Sequence, residues 1–118
     1  MSFAKYLSLL MGKSGHTYGQ LSGYLEIQLA EAVVKSNYVK ASALLKDPRV
    51  NVNWTYREKD FATCINMSAQ KGDIKMMKLL KLHGADLSIR DSNRATPLAH
   101  AIYLKRRHVV NYILSTIE

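Results

Sequence analysis

The chain has 118 residues, of which 47% are hydrophobic and 22% are charged, so we expect one packed core rather than a disordered or fibrous chain. A formal net charge of +8 favours acidic proteins, nucleic acid or anionic lipid as partners, without choosing among them. Cys64 is the chain's one cysteine, which excludes an internal disulfide framework and favours a reducing cytoplasm.

The first 25 residues stand apart from the rest of the chain. Their apolar residues recur at helical spacing, and these are Phe3, Tyr6, Leu7, Leu10 and Met11. This pattern predicts a domain of residues 1–25, an N-terminal capping helix and a Gly-rich loop; a helix on a membrane surface is the less favoured alternative. The short apolar run does not fit a signal peptide, and no run reaches the ~18 apolar residues of a membrane span.

Residues 26–118 contain a repeat. Pairs of similar residues lie 33 positions apart: Thr63 and Thr96, Ile65 and Leu98, Ser68 and Ala101, Gly72 and Lys105, Leu80 and Ile113. A weaker copy lies 36 positions upstream, where Leu29, Ala32 and Ser36 match Ile65, Ser68 and Gly72. The period predicts three units, at about residues 26–57, 58–90 and 91–118.

Each unit has the pattern of two helices joined by a tight turn. In the second unit, Thr63 is a good N-cap, Gly72 suits the left-handed end of a helix, and Asp73 suits the start of the next helix. The second helix has an apolar side and a lysine side, and it stops at His83-Gly84. The polar sequence that follows predicts a hairpin-like loop to the next unit.

These motifs resemble the ankyrin repeat family from Gln28 to the C-terminus. The resemblance is carried by Thr96-Pro97-Leu98, the Gly72 turn, Gly84-Ala85-Asp86-Leu87-Ser88, and Asp47 to Asn53. It implies an all-α fold, a short ankyrin-type solenoid of helix-turn-helix units joined by hairpin-like loops. It also implies a non-catalytic protein-binding module, here a small adaptor or effector.

Two departures from the family pattern affect the third unit. Arg94 and Lys105 stand where the family prefers glycine, so this unit needs a strained or a differently shaped turn. The last helix leaves apolar residues without a following unit, namely Tyr112, Ile113, Leu114 and Ile117. That helix packs wholly on the preceding unit, or the chain pairs with something there, or the sequence is a fragment.

We find no constellation for catalysis or for a metal. His83 and His100 do not have the spacing of two metal ligands on one helix. The sequence gives no histidine and acid next to Cys64, which a cysteine nucleophile would need. "MGKS" at Met11–Ser14 lacks the first glycine of a phosphate-binding loop. We therefore expect no enzyme, no cofactor and no metal site.

The resemblance places the binding surface on the concave face, made by loop tips and first helices. The matching positions are Trp54, Tyr56, Arg57, Lys59, Gln70, Lys71, Arg90, Asn93, Arg94, Tyr103 and Leu104. Trp54 and Tyr56 are the expected aromatic anchors, since aromatic residues and arginine dominate interface hot spots. The alternative for Trp54 is that its ring folds back over the first unit.

The favoured partner is an acidic protein surface. The alternative is a basic anion-binding module for nucleic acid or acidic lipid head groups, and self-association through the uncapped C-terminal helix is a further option. The basic run Lys105 to His108 lacks a stacking aromatic platform, which disfavours nucleic acid. We expect a cytoplasmic protein; an excess of lysine over arginine leaves open delivery into a host cell by an intracellular bacterium or a virus.

Overall fold

The computed structural model describes residues 23–117, and within that range the chain forms three pairs of α-helices. The pairs are α1 (Tyr24–Val34) with α2 (Tyr38–Leu45), α3 (Cys64–Lys71) with α4 (Ile74–Leu82), and α5 (Pro97–Tyr103) with α6 (Arg107–Ile117). A short 3-10 helix, Arg57–Lys59, lies in the first connection. The all-α solenoid is confirmed; the capping helix and loop expected before residue 23 lie outside the described residues.

Polar side chains start four of these helices. Asn37, Thr63, Asp73 and Thr96 each accept a hydrogen bond from a backbone amide three residues on, at 3.0 to 3.3 Å. Each bond satisfies an amide that has no partner inside its own helix. The predictions for Thr63 and Asp73 are confirmed, and Pro97 occupies the first turn of α5, where a missing amide hydrogen costs little.

The turn inside each pair has one shape in all three units. Its central residue has positive φ at Ser36 (54°), Gly72 (84°) and Lys105 (59°). The amide that follows donates in each case to the carbonyl of a small residue: Asn37 to Ala32, Asp73 to Ser68, and Arg106 to Ala101, at 2.8 to 2.9 Å. Of the two alternatives for the third unit, a strained or a differently shaped turn, the structure has the strained one, because Lys105 takes positive φ in a turn of the same shape.

The first helices stack side by side, and the second helices close the core from outside. α3 packs between α1 and α5, and each second helix packs on the first helix of its own pair. Leu29, Ile65, Met76, Met77 and Leu80 are fully buried, as are the small residues that let first helices approach, Ala32, Ser68, Ala69 and Ala101. The apolar side predicted for the second helix of this unit therefore faces the core, through Met76, Met77 and Leu80.

Cations join each unit to the one before it. The Lys71 ammonium donates to the Val34 carbonyl oxygen at 2.6 Å and to the Ser36 hydroxyl at 2.7 Å. The Arg106 Nε donates to the Gln70 carbonyl oxygen at 3.1 Å. Val34 and Gln70 lie 36 residues apart, at matching repeat positions, so both junctions satisfy the end of a first helix with a cation.

Candidate protein-binding surface

A cleft of about 480 Å³ lies where the first helices meet the connections between units. We call it the loop-side cleft, and its lining residues are Val33, Val34, Glu58, Lys59, Asp60, Ala62, Met67, Gln70, Lys71, Asp91, Asn93 and His100. α1, α3 and α5 supply one wall, and the two connections supply the other. This combination is the one that the family resemblance implied for binding.

The cleft brings together four of the residues proposed from the sequence. Lys59, Gln70, Lys71 and Asn93 all line it, although they come from three different segments. Gln70 is held in place, because its amide donates to the Asn66 side chain at 2.9 Å. Lys71 is committed to the junction with the first unit, so Lys59 is the lining lysine that a partner meets most directly.

Other proposed residues lie outside the lining. Arg57, Arg90 and Arg94 are exposed on the same two connections that form the cleft wall. Tyr103 is 84% exposed and Leu104 is 42% exposed at the end of α5. Each of the three arginines lies next in sequence to a residue that lines the cleft, whereas Tyr103 and Leu104 lie at the end of α5.

Tyr56 does not belong to the accessible surface, which corrects the expectation that its ring anchors a partner. Its side chain is 5% exposed, and its hydroxyl donates to the Glu26 carbonyl oxygen at 2.7 Å. The same hydroxyl accepts from the Cys64 thiol at 3.4 Å, and burial raises the pKa of Tyr56. Its backbone pairs with Ala62 across the first connection, so the ring points inward.

Trp54 folds back over the first unit, which was the alternative weighed for it. The side chain is half-buried and packs against the core. A Cβ at Gly23, next to the start of α1, would lie 3.1 Å from the Trp54 ring. Trp54 thus covers the beginning of the first helix, and most of its area is used inside the protein.

Acidic residues of the cleft were missed by the sequence reasoning. Glu58 and Asp60 are exposed beside Lys59, and Asp91 is buried at the base of the second connection. The lining therefore has mixed charge, although the chain as a whole is strongly basic. A local signal existed only for Asp91, which begins Asp91-Ser92-Asn93, a run of residue types that favour turns.

Asp91 organises the second connection with His100. One carboxylate oxygen accepts from the amides of Asn93 and Ala95, at 2.9 and 3.0 Å, and the other lies 2.7 Å from His100 Nε2. Burial acts to raise the pKa of Asp91, but the hydrogen bonds from His100, Ala95 and Asn93 outweigh it, and the pKa is lowered. His100 therefore has a structural role, because its contact with Asp91 holds the second connection.

Cys64 lies in the core, away from solvent. Its side chain is fully buried, and that burial raises the pKa of the thiol to about 12. A thiol with such a pKa is almost entirely protonated near neutral pH, so it is a poor nucleophile. Over residues 23–117 there is no group of His, Cys, Asp and Glu side chains that could hold a metal ion.

Comparison with known proteins settles the family. A family model described as ankyrin repeats (3 copies) matches residues 29–118. The chain belongs to the ankyrin repeat family. Ankyrin repeats are generally modules of protein–protein interaction. None of the helices in the described part of the chain has the length and apolar character needed to cross a membrane.

A relative among characterised proteins is the NF-kappa-B inhibitor cactus of Drosophila yakuba. The two are 30% identical over 80 residues, which is 67% of this chain and 16% of the relative. The chain therefore spans about a sixth of the length of that protein.

Proposed function

We propose that this chain is a non-catalytic adaptor or effector that binds a partner protein through the loop-side cleft and the loop tips beside it. The observation that carries this proposal is the set of exposed cations on the two connections: Lys59 lines the cleft, and Arg57, Arg90 and Arg94 each lie next in sequence to a residue that lines it. A cleft whose connections carry arginines suits a partner with acidic residues, since guanidinium groups bind carboxylates with two parallel hydrogen bonds. The cytoplasm fits a chain whose one thiol is buried and unpaired.

The cleft itself restricts where the partner's acids lie. Glu58 and Asp60 are exposed inside it, so a carboxylate placed there is repelled. Val34, which is 48% exposed, and Met67 give the first-helix wall apolar area. The best fit is a segment that places an apolar or neutral side chain in the cleft and acidic side chains against the arginines.

The relationship to cactus supplies the first candidate partner. Cactus is an inhibitor of NF-kappa-B by name, and its similarity to this chain covers 67% of the chain. We therefore propose NF-kappa-B proteins as the first purified candidates to test. Because the chain spans only about a sixth of cactus, a different partner is equally compatible with the adaptor role.

The anion-binding alternative gains little support from the two partly buried tyrosine rings near the lysines. The Lys75 ammonium lies 4.4 Å from the centre of the Tyr38 ring, and the Lys78 ammonium lies 5.8 Å from that of Tyr112. Rings covered by lysine do not offer a free face for stacking bases, which single-strand binding uses. Binding to phosphates would depend on charge alone and would fall steeply with added salt.

The test compares the wild type with an Arg57→Ala, Arg90→Ala, Arg94→Ala variant in pull-downs from cell lysate, followed by calorimetry with the proteins identified. We expect the variant to bind its protein partner at least ~10-fold more weakly, because it loses three charge-assisted contacts. The matched control is Lys46→Ala, Lys75→Ala, Lys78→Ala, which removes the same charge from exposed positions away from the cleft.

The control decides between specific and general charge effects. If both variants lose binding equally, and the captured material is nucleic acid or lipid that is released by salt, the anion-binding alternative is correct. If a protein binds equally well to all three forms, the loop-side cleft is not its binding site. Only selective loss in the arginine variant supports the adaptor proposal.

A further inference from the structure

Two large side chains at the loop tips belong to residues in the left-handed backbone conformation. Phe61 and Arg94 both have φ of 62°. They lie 33 positions apart, so they hold the same place in consecutive units. This conformation is unfavourable for a residue with a Cβ and costs glycine little. Two consecutive tips therefore carry a large side chain at a position where glycine would relieve backbone strain.

The fold itself gains little from either side chain. Phe61 is 46% exposed and lies outside the buried core. The Arg94 guanidinium is exposed and forms no hydrogen bond or ion pair with another residue of the described range 23–117. Both residues are held through the backbone, since the Phe61 amide donates to the Tyr56 carbonyl oxygen at 2.8 Å and the Arg94 amide to that of Asp91 at 3.0 Å. Strained residues that the surrounding structure enforces in this way cluster at binding sites.

The two tips are joined beside the loop-side cleft. The Ser92 amide donates to the Asp60 carbonyl oxygen at 2.8 Å, and this bond lies within two residues of both Phe61 and Arg94. Asp60, next to Phe61, and Asn93, next to Arg94, both line the cleft. A segment bound in the cleft therefore lies close to both side chains.

We propose that Phe61 and Arg94 together select the partner of the loop-side cleft, an inference that rests on the function proposed above. Phe61 contacts an apolar side chain, and Arg94 pairs with a carboxylate of the same segment. The acid lies on the Arg94 side, because Glu58 and Asp60 are exposed near Phe61 and repel a carboxylate there. Aromatic residues and arginine are also the side chains that most often carry the binding energy of an interface.

The distance between the units sets the spacing of the recognised residues. α3 packs against α5, and the axes of packed helices lie about 8–10 Å apart. Matching positions in the two units are separated by about that distance, which an extended chain covers in about three residues. We therefore expect an extended segment with an apolar residue and an aspartate or glutamate about three positions apart.

Phage display tests the proposal, with random peptides of about 12 residues selected on the full wild-type chain. We expect the enriched peptides to contain an apolar residue and an acid about three positions apart. An enriched peptide, synthesised with a fluorescent label, is then titrated with each variant. Phe61→Gly and Arg94→Gly should each bind it at least ~10-fold more weakly, and Phe61→Tyr, which keeps the ring, should retain most of the affinity.

Lys105→Gly is the matched control for both glycine variants. Lys105 also has positive φ, 59°, and its loss removes one positive charge, as Arg94→Gly does, but it does not line the cleft. Its replacement should leave peptide affinity unchanged. Thermal unfolding separates binding from folding, because Arg94→Gly and Lys105→Gly should both raise Tm by about 2–6 °C, whereas only Arg94→Gly weakens binding.

The possible results separate this proposal from the adaptor function. Peptides that bind both glycine variants as tightly as the wild type, but lose affinity on Lys59→Ala, would keep the cleft as the binding site and overturn the role of Phe61 and Arg94. Equal loss of affinity in Lys105→Gly would also overturn it, since the effect would then be one of general charge. If no peptide is enriched while the protein captured from lysate still depends on the arginines, this proposal is wrong and the adaptor function stands. If neither peptide nor protein depends on these residues, both are wrong.

Discussion

At the residue scale, the Tyr56 hydroxyl links the first connection to α1 through the Glu26 carbonyl oxygen. Tyr56→Phe removes this donor in the core and should lower the free energy of unfolding by about 1–2 kcal/mol, measured by urea denaturation. Tyr103→Phe is the matched control, because that ring is 84% exposed, and it should change stability by less than about 0.5 kcal/mol. A Tyr56→Phe variant of full stability that loses partner binding would restore Tyr56 as an anchor.

Asp91 makes a pH-dependent contribution to the free energy of unfolding, which the Asp91→Asn variant measures. Its folded-state pKa lies below the unfolded value of about 3.9, so the carboxylate stabilises the fold above that value. This stabilisation is lost as the pH falls through the folded pKa. Asp91→Asn should therefore cost about 1–2 kcal/mol at pH near 7 and progressively less in acid. A stability difference between Asp91→Asn and the wild type that stays constant across this pH range would contradict this role of Asp91.

At the element scale, replacing lysine by glycine should stabilise the chain in a positive-φ turn and destabilise it inside a helix. Lys105 has φ of 59°, a conformation that costs a side-chain-bearing residue about 1–2 kcal/mol and costs glycine little. Lys105→Gly should therefore stabilise the chain by about 0.5–1 kcal/mol in urea denaturation. Lys78→Gly, inside α4, should destabilise it by about 1 kcal/mol. A loss of stability at both positions would mean that Lys105 has a compensating interaction.

The helices were predictable from the sequence because their signals are local. The caps, the glycine turn and the 33-residue period each involve residues close in sequence or repeated at a fixed interval. The places of Trp54 and Tyr56 depend instead on α1, through Gly23 and Glu26, about 30 residues earlier. No local pattern encodes such contacts, and the acids of the cleft were missed for the same reason. Which loop residues line the cleft depends on where they lie in space, and the sequence pattern does not give those positions.

At the scale of the whole molecule, Asp73 combines the start of a helix with the junction between two units. Its side chain accepts from the Met76 amide at 3.0 Å, and from the Ser36 and Tyr38 hydroxyls of the first unit at 2.8 and 2.9 Å. Burial acts to raise the pKa of Asp73, but these hydrogen bonds outweigh it and the pKa is lowered. The ionised carboxylate therefore holds two units together near neutral pH.

In a solenoid, stability is approximately the sum of each unit and its contacts with neighbours. Asp73→Ala should cost about 2–3 kcal/mol, from the cap and two hydrogen bonds to a charged group. The substitution should increase the rate of amide hydrogen exchange more in α1 and α2 than in α5 and α6, because the first unit loses its hydrogen bonds to Asp73 of the second. Thr96→Ala, which removes a cap alone, should cost about 1 kcal/mol and leave α1 and α2 unaffected. Equal acceleration in all three pairs of the Asp73 variant would show that the units open together, and that the junction does not set the stability of the first unit.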